Sequence, residues 1–319
     1  QTCALPISGK TSNRVAGADF EYHNSHLPGD NILEADAYYA RSFSSLAGDD
    51  ATYGAAVNFP NEPWGGEFYF KQVGRDFAPA LGFVNRPGIR DYEITVTERT
   101  RYRNQYLRSV QFGATGIFIT GLDDRLQSRQ EHLWTSIQDH NVDVAELHLY
   151  NYFEAVAAPF ALPGGVMVPA GHYDWTNFAP RIDTTNGRAW VLTWQVECCH
   201  FYSGSYLKSD LSLTLRWRDF FEFAPHYVAT WIDMPTGHVA IHVIQGVTTF
   251  NITPDMQLLI QGQFDNISRG FGLSARYRWE YEPGDEIFVA FGHSAVIPGT
   301  SFVSQSSQLS VRLGHTFRF

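Results

Sequence analysis

Near its C-terminus the chain alternates apolar and polar residues for about a dozen positions at a stretch, and this period of two commits it to β-strands. Phe271, Leu273, Ala275, Tyr277, Trp279 and Tyr281 fall on one side of an extended backbone, and Gly272, Ser274, Arg276, Arg278 and Glu280 on the other. The final stretch repeats the pattern, with Leu309, Val311, Leu313, Phe317 and Phe319 opposed to Ser310, Arg312, Thr316 and Arg318; His315 breaks it. Strands of a soluble sandwich usually run to about five or six residues. A strand that crosses an outer membrane needs roughly 9 to 11, apolar outward and polar inward, with aromatic residues at headgroup level. Length and flanking aromatics favour the second. The expected fold is all-β, a transmembrane antiparallel β-barrel of roughly 16 to 18 strands whose last strand ends on Phe319. A soluble lectin-like β-sandwich is the alternative.

The rest of the sequence offers no other way across a bilayer. No uncharged apolar run approaches the roughly 18 residues of a membrane helix without a Pro or Gly. The nearest, 155–171, holds Pro159, Pro163 and Pro169, which a continuous helix excludes. From Asn13 onward roughly 17 runs of strand character are separated by Gly, Pro, Asn and Asp turn signals. A formal charge of −10 argues against nucleic acid as a partner, whereas acidic loops and lumens suit a barrel whose first partner is outer-membrane lipid.

Gln1 to Ile7 reads QTCALPI, the in-frame translation of a common sequencing-library adapter. Residues 1–12 are therefore set aside as an adapter-derived or disordered start, and 13–319 form one barrel domain. Ser8-Gly9-Lys10-Thr11 is not a phosphate loop, which needs a Gly five residues before Gly9 where Ala4 stands. With Cys3 discounted, Cys198 and Cys199 point to opposite faces of a strand, so two unbridged strand residues are expected and neither a disulfide scaffold nor a zinc site.

Loop lengths give a second line of argument. If Phe319 lies in the periplasm, the turns at Pro283-Gly284-Asp285, Thr253-Pro254-Asp255, Thr185-Asn186-Gly187 and Asn141 share one end, and the segments 74–90, 155–171 and 296–306 share the other. Short turns and long loops separate in this way in outer-membrane barrels, with Ser203-Gly204-Ser205 a short exception. Tyr277, Trp279, Tyr281, Trp217, Phe317 and Phe319 then mark one interfacial belt, and Tyr202 and Tyr206 the other. An odd strand count conflicts with the even number of bacterial barrels and implies a strand upstream of Asn13 or one misassigned run. The Pro-rich segments 74–90 and 155–171 are long for loops and apolar for surfaces, and one or both are expected to fold into the mouth and narrow it.

Three separated stretches carry a resemblance. GRDFAPALGFVNRPGIR at 74–90, PGGVMVPAGHYD at 163–174 and RYRWEYEPGDEIFVAF at 276–291 resemble the signature of the C-terminal domain of unknown function that follows a family-9-like carbohydrate-binding module in Gram-negative bacteria. The likeness covers nearly all of 13–319. A terminal aromatic on an alternating strand also resembles the C-terminal signal of bacterial outer-membrane barrels. Together these imply a barrel in the cell outer membrane, inserted by the barrel-assembly machinery, with an oligo- or polysaccharide as partner through an upstream module absent from this sequence. They supply no catalytic residues.

The candidates for function are the charges on the polar faces. They are Glu197; Lys208, Asp210, Arg216 and Arg218 along one strand; Arg276, Arg278 and Glu280 along another; and Arg312 and Arg318 on the last. A wall carrying both signs can bind or conduct a polar solute, or can form a cross-strand ladder that satisfies itself. The expected role is a passage for a polar solute or a membrane platform for a sugar-binding module. No catalytic set stands out, because Asp123, Asp124 and Asp265 lie at hairpins where Asp forms turns; a barrel hydrolase acting on glycan or lipid is the enzymatic alternative. His238 and His242 lie on one side of a strand about 13 Å apart, too far to share a metal. Neither metal nor cofactor is expected. Asn251-Ile252-Thr253 and Asn266-Ile267-Ser268 match the glycosylation pattern, a chance match in a bacterial barrel.

Overall fold

The structure, a computed structural model, describes residues 3–4 and 12–316. Of its 20 strands, Cys3–Ala4, Phe160–Ala161 and Met167–Val168 have two residues each. The other 17 are long: β1 Asn13–Leu27, β2 Asn31–Ser44, β3 Gly48–Phe59, β4 Trp64–Val73, β5 Ile89–Arg101, β6 Leu107–Gly121, β7 Leu126–Asp139, β8 Val144–Val156, β9 Gly171–Asp183, β10 Trp190–Phe201, β11 Gly204–Trp217, β12 Phe221–Met234, β13 Gly237–Thr253, β14 Met256–Asp265, β15 Gly270–Glu282, β16 Asp285–Val296 and β17 Val303–His315. They follow one another in a single antiparallel sheet, the transmembrane β-barrel that the alternation predicts. The shortest has 10 residues and the longest 17, enough to cross a hydrocarbon layer at a tilt. The one helical turn among the described residues is the 3-10 segment Pro163–Gly165. The adapter-like start apart from Cys3–Ala4, the Ser8-Gly9-Lys10-Thr11 stretch, and Phe317, Arg318 and Phe319 lie outside the described residues.

The chain divides into two units. One comprises Gln1–Ile137, Leu147–Pro159 and Pro169–Asn177, the other Gln138–Glu146, Phe160–Val168 and Phe178–Phe319. In the second, register turns the alternation into two chemically distinct faces. Rows Met256–Trp279–Ile287–Leu313, Leu258–Tyr277–Val289–Val311 and Ile260–Ala275–Phe291–Leu309 run across β14 to β17 on one face. The opposite face carries Gln257–Arg278–Phe288–Arg312 and Gln261–Ser274–Gly292–Gln308. Leu309, Val311 and Leu313 are 63 to 75% exposed, and an apolar surface of that extent belongs in lipid. A dry core joining Leu213, Leu273 and Leu313, which a soluble sandwich would need, is not what Leu313 at 75% exposure provides.

The first unit repeats the arrangement. Phe20–Ala37–Ala55–Phe70–Tyr92–Phe118 and Tyr22–Ala35–Val57–Phe68–Ile94–Gly116 form apolar rows across β1 to β6. Behind them run Glu21–Asp36–Ala56–Tyr69–Glu93–Ile117 and Asp19–Tyr38–Gly54–Lys71–Asp91–Ile119. A barrel turns the first kind of row to the acyl chains and the second to its lumen.

Both long loops fold onto the polar faces. In the first unit the segment 74–88 closes at its neck through Gly88 N–H to the Gly74 carbonyl, 3.3 Å. It is pinned where Asn13 Nδ2 donates to the Ala78 carbonyl (2.6 Å) and Ser42 Oγ accepts from Ala78 N–H (3.1 Å). Its Arg86 reaches Ser128 Oγ and Gln127 Oε1 on β7 at 2.9 and 2.7 Å. In the second unit Phe160–Ala161 and Met167–Val168 pair as a miniature hairpin that rests on the β12–β13 turn. Thr236 Oγ1 donates to the Met167 carbonyl at 2.6 Å, and Val166 and Val168 are buried with Ile232, Met234 and Val239. Ile232 and Val239 face each other in register on the polar side, so this loop packs against the polar side of the wall at its β12–β13 end.

One expectation about local structure fails. Cys198 and Cys199 are joined by a disulfide, with their Cα atoms 3.4 Å apart. A positive φ of 154° at Cys199 departs from the regular strand in which neighbours point to opposite faces, and brings the two side chains together.

Candidate functional site

The charges on the polar wall of the second unit are almost all paired. Glu197 lies directly across from Lys208 in register. The Lys208 ammonium stands 3.6 Å from Asp210, whose other oxygen meets His226 Nε2 at 2.8 Å. Arg216 donates to Glu222 at 2.8 Å. Arg278 bridges Glu280 (2.8 Å) and Glu286 (3.1 Å), and Glu286 also accepts from Arg312 at 3.1 Å. Arg181 is held by Asp183 at 2.6 Å. Arg276 shares the face but makes no ion pair among the described residues. Most sequence-predicted residues thus lie on one polar surface and satisfy one another, each exposed pair contributing little to stability.

Arg218 is a correction. It was expected to continue the strand of Lys208, Asp210 and Arg216, but β11 ends at Trp217 and Arg218 turns the chain with φ 54°. It lines a cavity of about 570 Å³ at the strand ends, together with Asp219, Asn251, Asp255 and Arg278. Arg318 lies outside the described residues.

The first unit carries a different wall, which sequence reading passed over. Asp19 and Glu21 on β1, Asp36 on β2, Glu67 on β4 and Glu93 on β5 all fall on its polar rows and take part in no ion pair among the described residues. Glu21 and Asp36 stand directly opposite each other. Glu34 meets His23 at 3.2 Å, and Lys71 meets Asp91 at 3.3 Å. Asp91 is 7% exposed, and its Oδ1 is buried without a hydrogen bond. A cavity of about 490 Å³ opens along Asp19, Glu21, His23, Glu34, Asp36 and Tyr38. The signal was present, since each acid alternates with apolar neighbours. Strand by strand it is faint, because each of these strands contributes only one or two acids and the surface forms across several of them.

Farther along the same unit a column of rings stacks on the polar side. His132 and His148 approach with Nε2 and Nδ1 2.9 Å apart. Tyr150, Tyr152 and Trp175 continue the column at centroid spacings of 5.7 and 5.3 Å. Asp123, Asp124 and Asp265 act as turn residues: Asp124 has φ 64°, and Asp265 Oδ1 accepts the Ser268 N–H at 2.7 Å. His242 is bonded to the Tyr227 hydroxyl at 2.8 Å. No metal-binding cluster occurs among the described residues.

At the ends of the strands, two turn carboxylates are clamped. Arg101, and after it Arg99, donates to Glu62 and holds its carboxyl below the usual range. The Thr185 N–H and the Arg188 guanidinium do the same for Asp143.

Comparison with known proteins bears on the fold. No family model and no curated protein matches the chain. Among solved structures, the siderophore receptor PirA from Acinetobacter baumannii matches with a TM-score of 0.51 at 6% sequence identity. The match covers 97% of this chain and 65% of the receptor, so the chain spans about two thirds of that structure's length. At this identity the likeness is one of architecture: a large antiparallel β-barrel like that of an outer-membrane receptor.

Proposed function

We propose that the chain forms a passage for a polar solute across the outer membrane, narrowed by its long loop 160–168. The observation that carries this reading is the seating of 160–168, whose Val166 and Val168 are buried against the lumen-facing Ile232, Met234 and Val239 rather than projecting into solvent. A wall of charged and amide side chains behind an apolar outer surface is the arrangement through which polar solutes move.

The test is single-channel recording on the chain and on a variant lacking 162–170. A narrowed passage gains conductance on removal of the loop, and a heat-modifiable band on gels shows that the variant has folded. Unchanged conductance in a folded variant would remove the loop from the mouth. The platform reading, in which the barrel anchors a sugar-binding module, is supported by the three sequence stretches alone. Retention on polysaccharide beads of a chain that carries such a module upstream, but not of 13–319, would favour it.

A further inference from the structure

We propose that the passage selects cations, because the β1–β5 wall presents carboxylates that make no ion pair among the described residues. This inference rests on the passage reading. Two independent observations carry it beyond a mere acidic cluster. The first is the contrast between the units: in the second, Asp183, Asp210, Glu222, Glu280 and Glu286 each contact an arginine, lysine or histidine. In the first, Asp19, Glu21, Asp36, Glu67 and Glu93 contact none among the described residues. The second is Asp91, whose side chain is 10% exposed and which, although its Oδ2 meets Lys71 at 3.3 Å, keeps a buried Oδ1 that receives no hydrogen bond.

Like charges placed directly opposite across a ladder destabilise it, and Glu21 and Asp36 are so placed. A fold that only needed a solvated interior could place Gln, Ser or Asn there, as β14 to β17 do with Gln261, Ser274 and Gln308. Charges of one sign along a low-dielectric wall focus the field and raise the local concentration of counter-ions by about tenfold or more. Along β1–β5 that counter-ion is positive, so the preferred solute is a small polar cation and anions are disfavoured.

The experiment is a reversal-potential measurement in planar bilayers under a KCl gradient, with this chain and with the variant lacking 162–170. A cation-to-anion permeability ratio on the order of 10 is expected. It should fall at least about threefold when Glu21→Gln, Asp36→Asn and Glu93→Gln are combined, and hold when Glu21→Asp keeps the charge. Asp210→Asn, which neutralises a carboxylate already paired, should leave the ratio in place. A conducting protein with a ratio at or below 1, or one unmoved by the triple substitution, overturns the selectivity but leaves the passage standing. Absence of conductance in both forms overturns the passage, and the selectivity with it. Should the triple variant fail to give a heat-modifiable band, Asp19→Asn and Glu67→Gln supply the same test singly.

Discussion

At Gly113, whether a side chain fits is decided by a neighbour one strand away. A Cβ there would overlap the Trp134 indole, and at Gly54 it would meet the Tyr38 ring, so both glycines are sockets for aromatic rings on the polar side. Gly262, Gly272 and Gly292 have nothing within 4 Å of the same position. Gly113→Val is therefore expected to destabilise the folded barrel by about 1–3 kcal/mol, read from the urea midpoint in lipid vesicles, while Gly272→Ala and Gly292→Ala stay near wild type. None of this was legible in the sequence, because a Gly in a strand looks the same whether a ring covers it or nothing does. Arg218 and Cys199 were missed for a related reason. Each departs from extended geometry through a positive φ, and periodicity reasoning assumes a regular strand throughout.

The strands were the most legible elements. Their alternation follows from backbone geometry alone, and each row of four or six residues in register multiplies that signal. Boundaries were less so: β17 begins at Val303, where Ser304, Ser306 and Ser307 dilute the alternation that becomes clear only from Leu309. β1 continues to Leu27 across a register shift after Asn24, through a polar run that shows no alternation. The apolar rows make a sharp prediction. Val289 sits mid-row between Tyr277 and Val311, so Val289→Arg should cost about 2–4 kcal/mol, whereas an arginine on the lumen-facing side, as in Ser274→Arg, should cost little. Equal losses from the two substitutions, measured by denaturant unfolding in vesicles, would refute the assignment of faces.

For the molecule as a whole, acid is the informative stress. Glu62 and Asp143 both have carboxyls held below their ordinary range, by Arg101 and by the Thr185 N–H respectively. A depressed folded-state value contributes stability that is present above the unfolded value, near pH 4, and is lost as pH falls through the folded one. Folded barrel should therefore lose stability below about pH 4, and Glu62→Gln with Asp143→Asn should flatten that decline while lowering stability at neutral pH. Fold class could be read from sequence because lipid imposes one rule on every strand. The acidic wall could not, since it exists only once five strands are laid side by side. The miniature hairpin of 160–168 rests on a two-residue turn and adds no strand to the ladder. Its length and composition can therefore drift across generations without disturbing the wall, so divergence among barrels of this kind should be written there first.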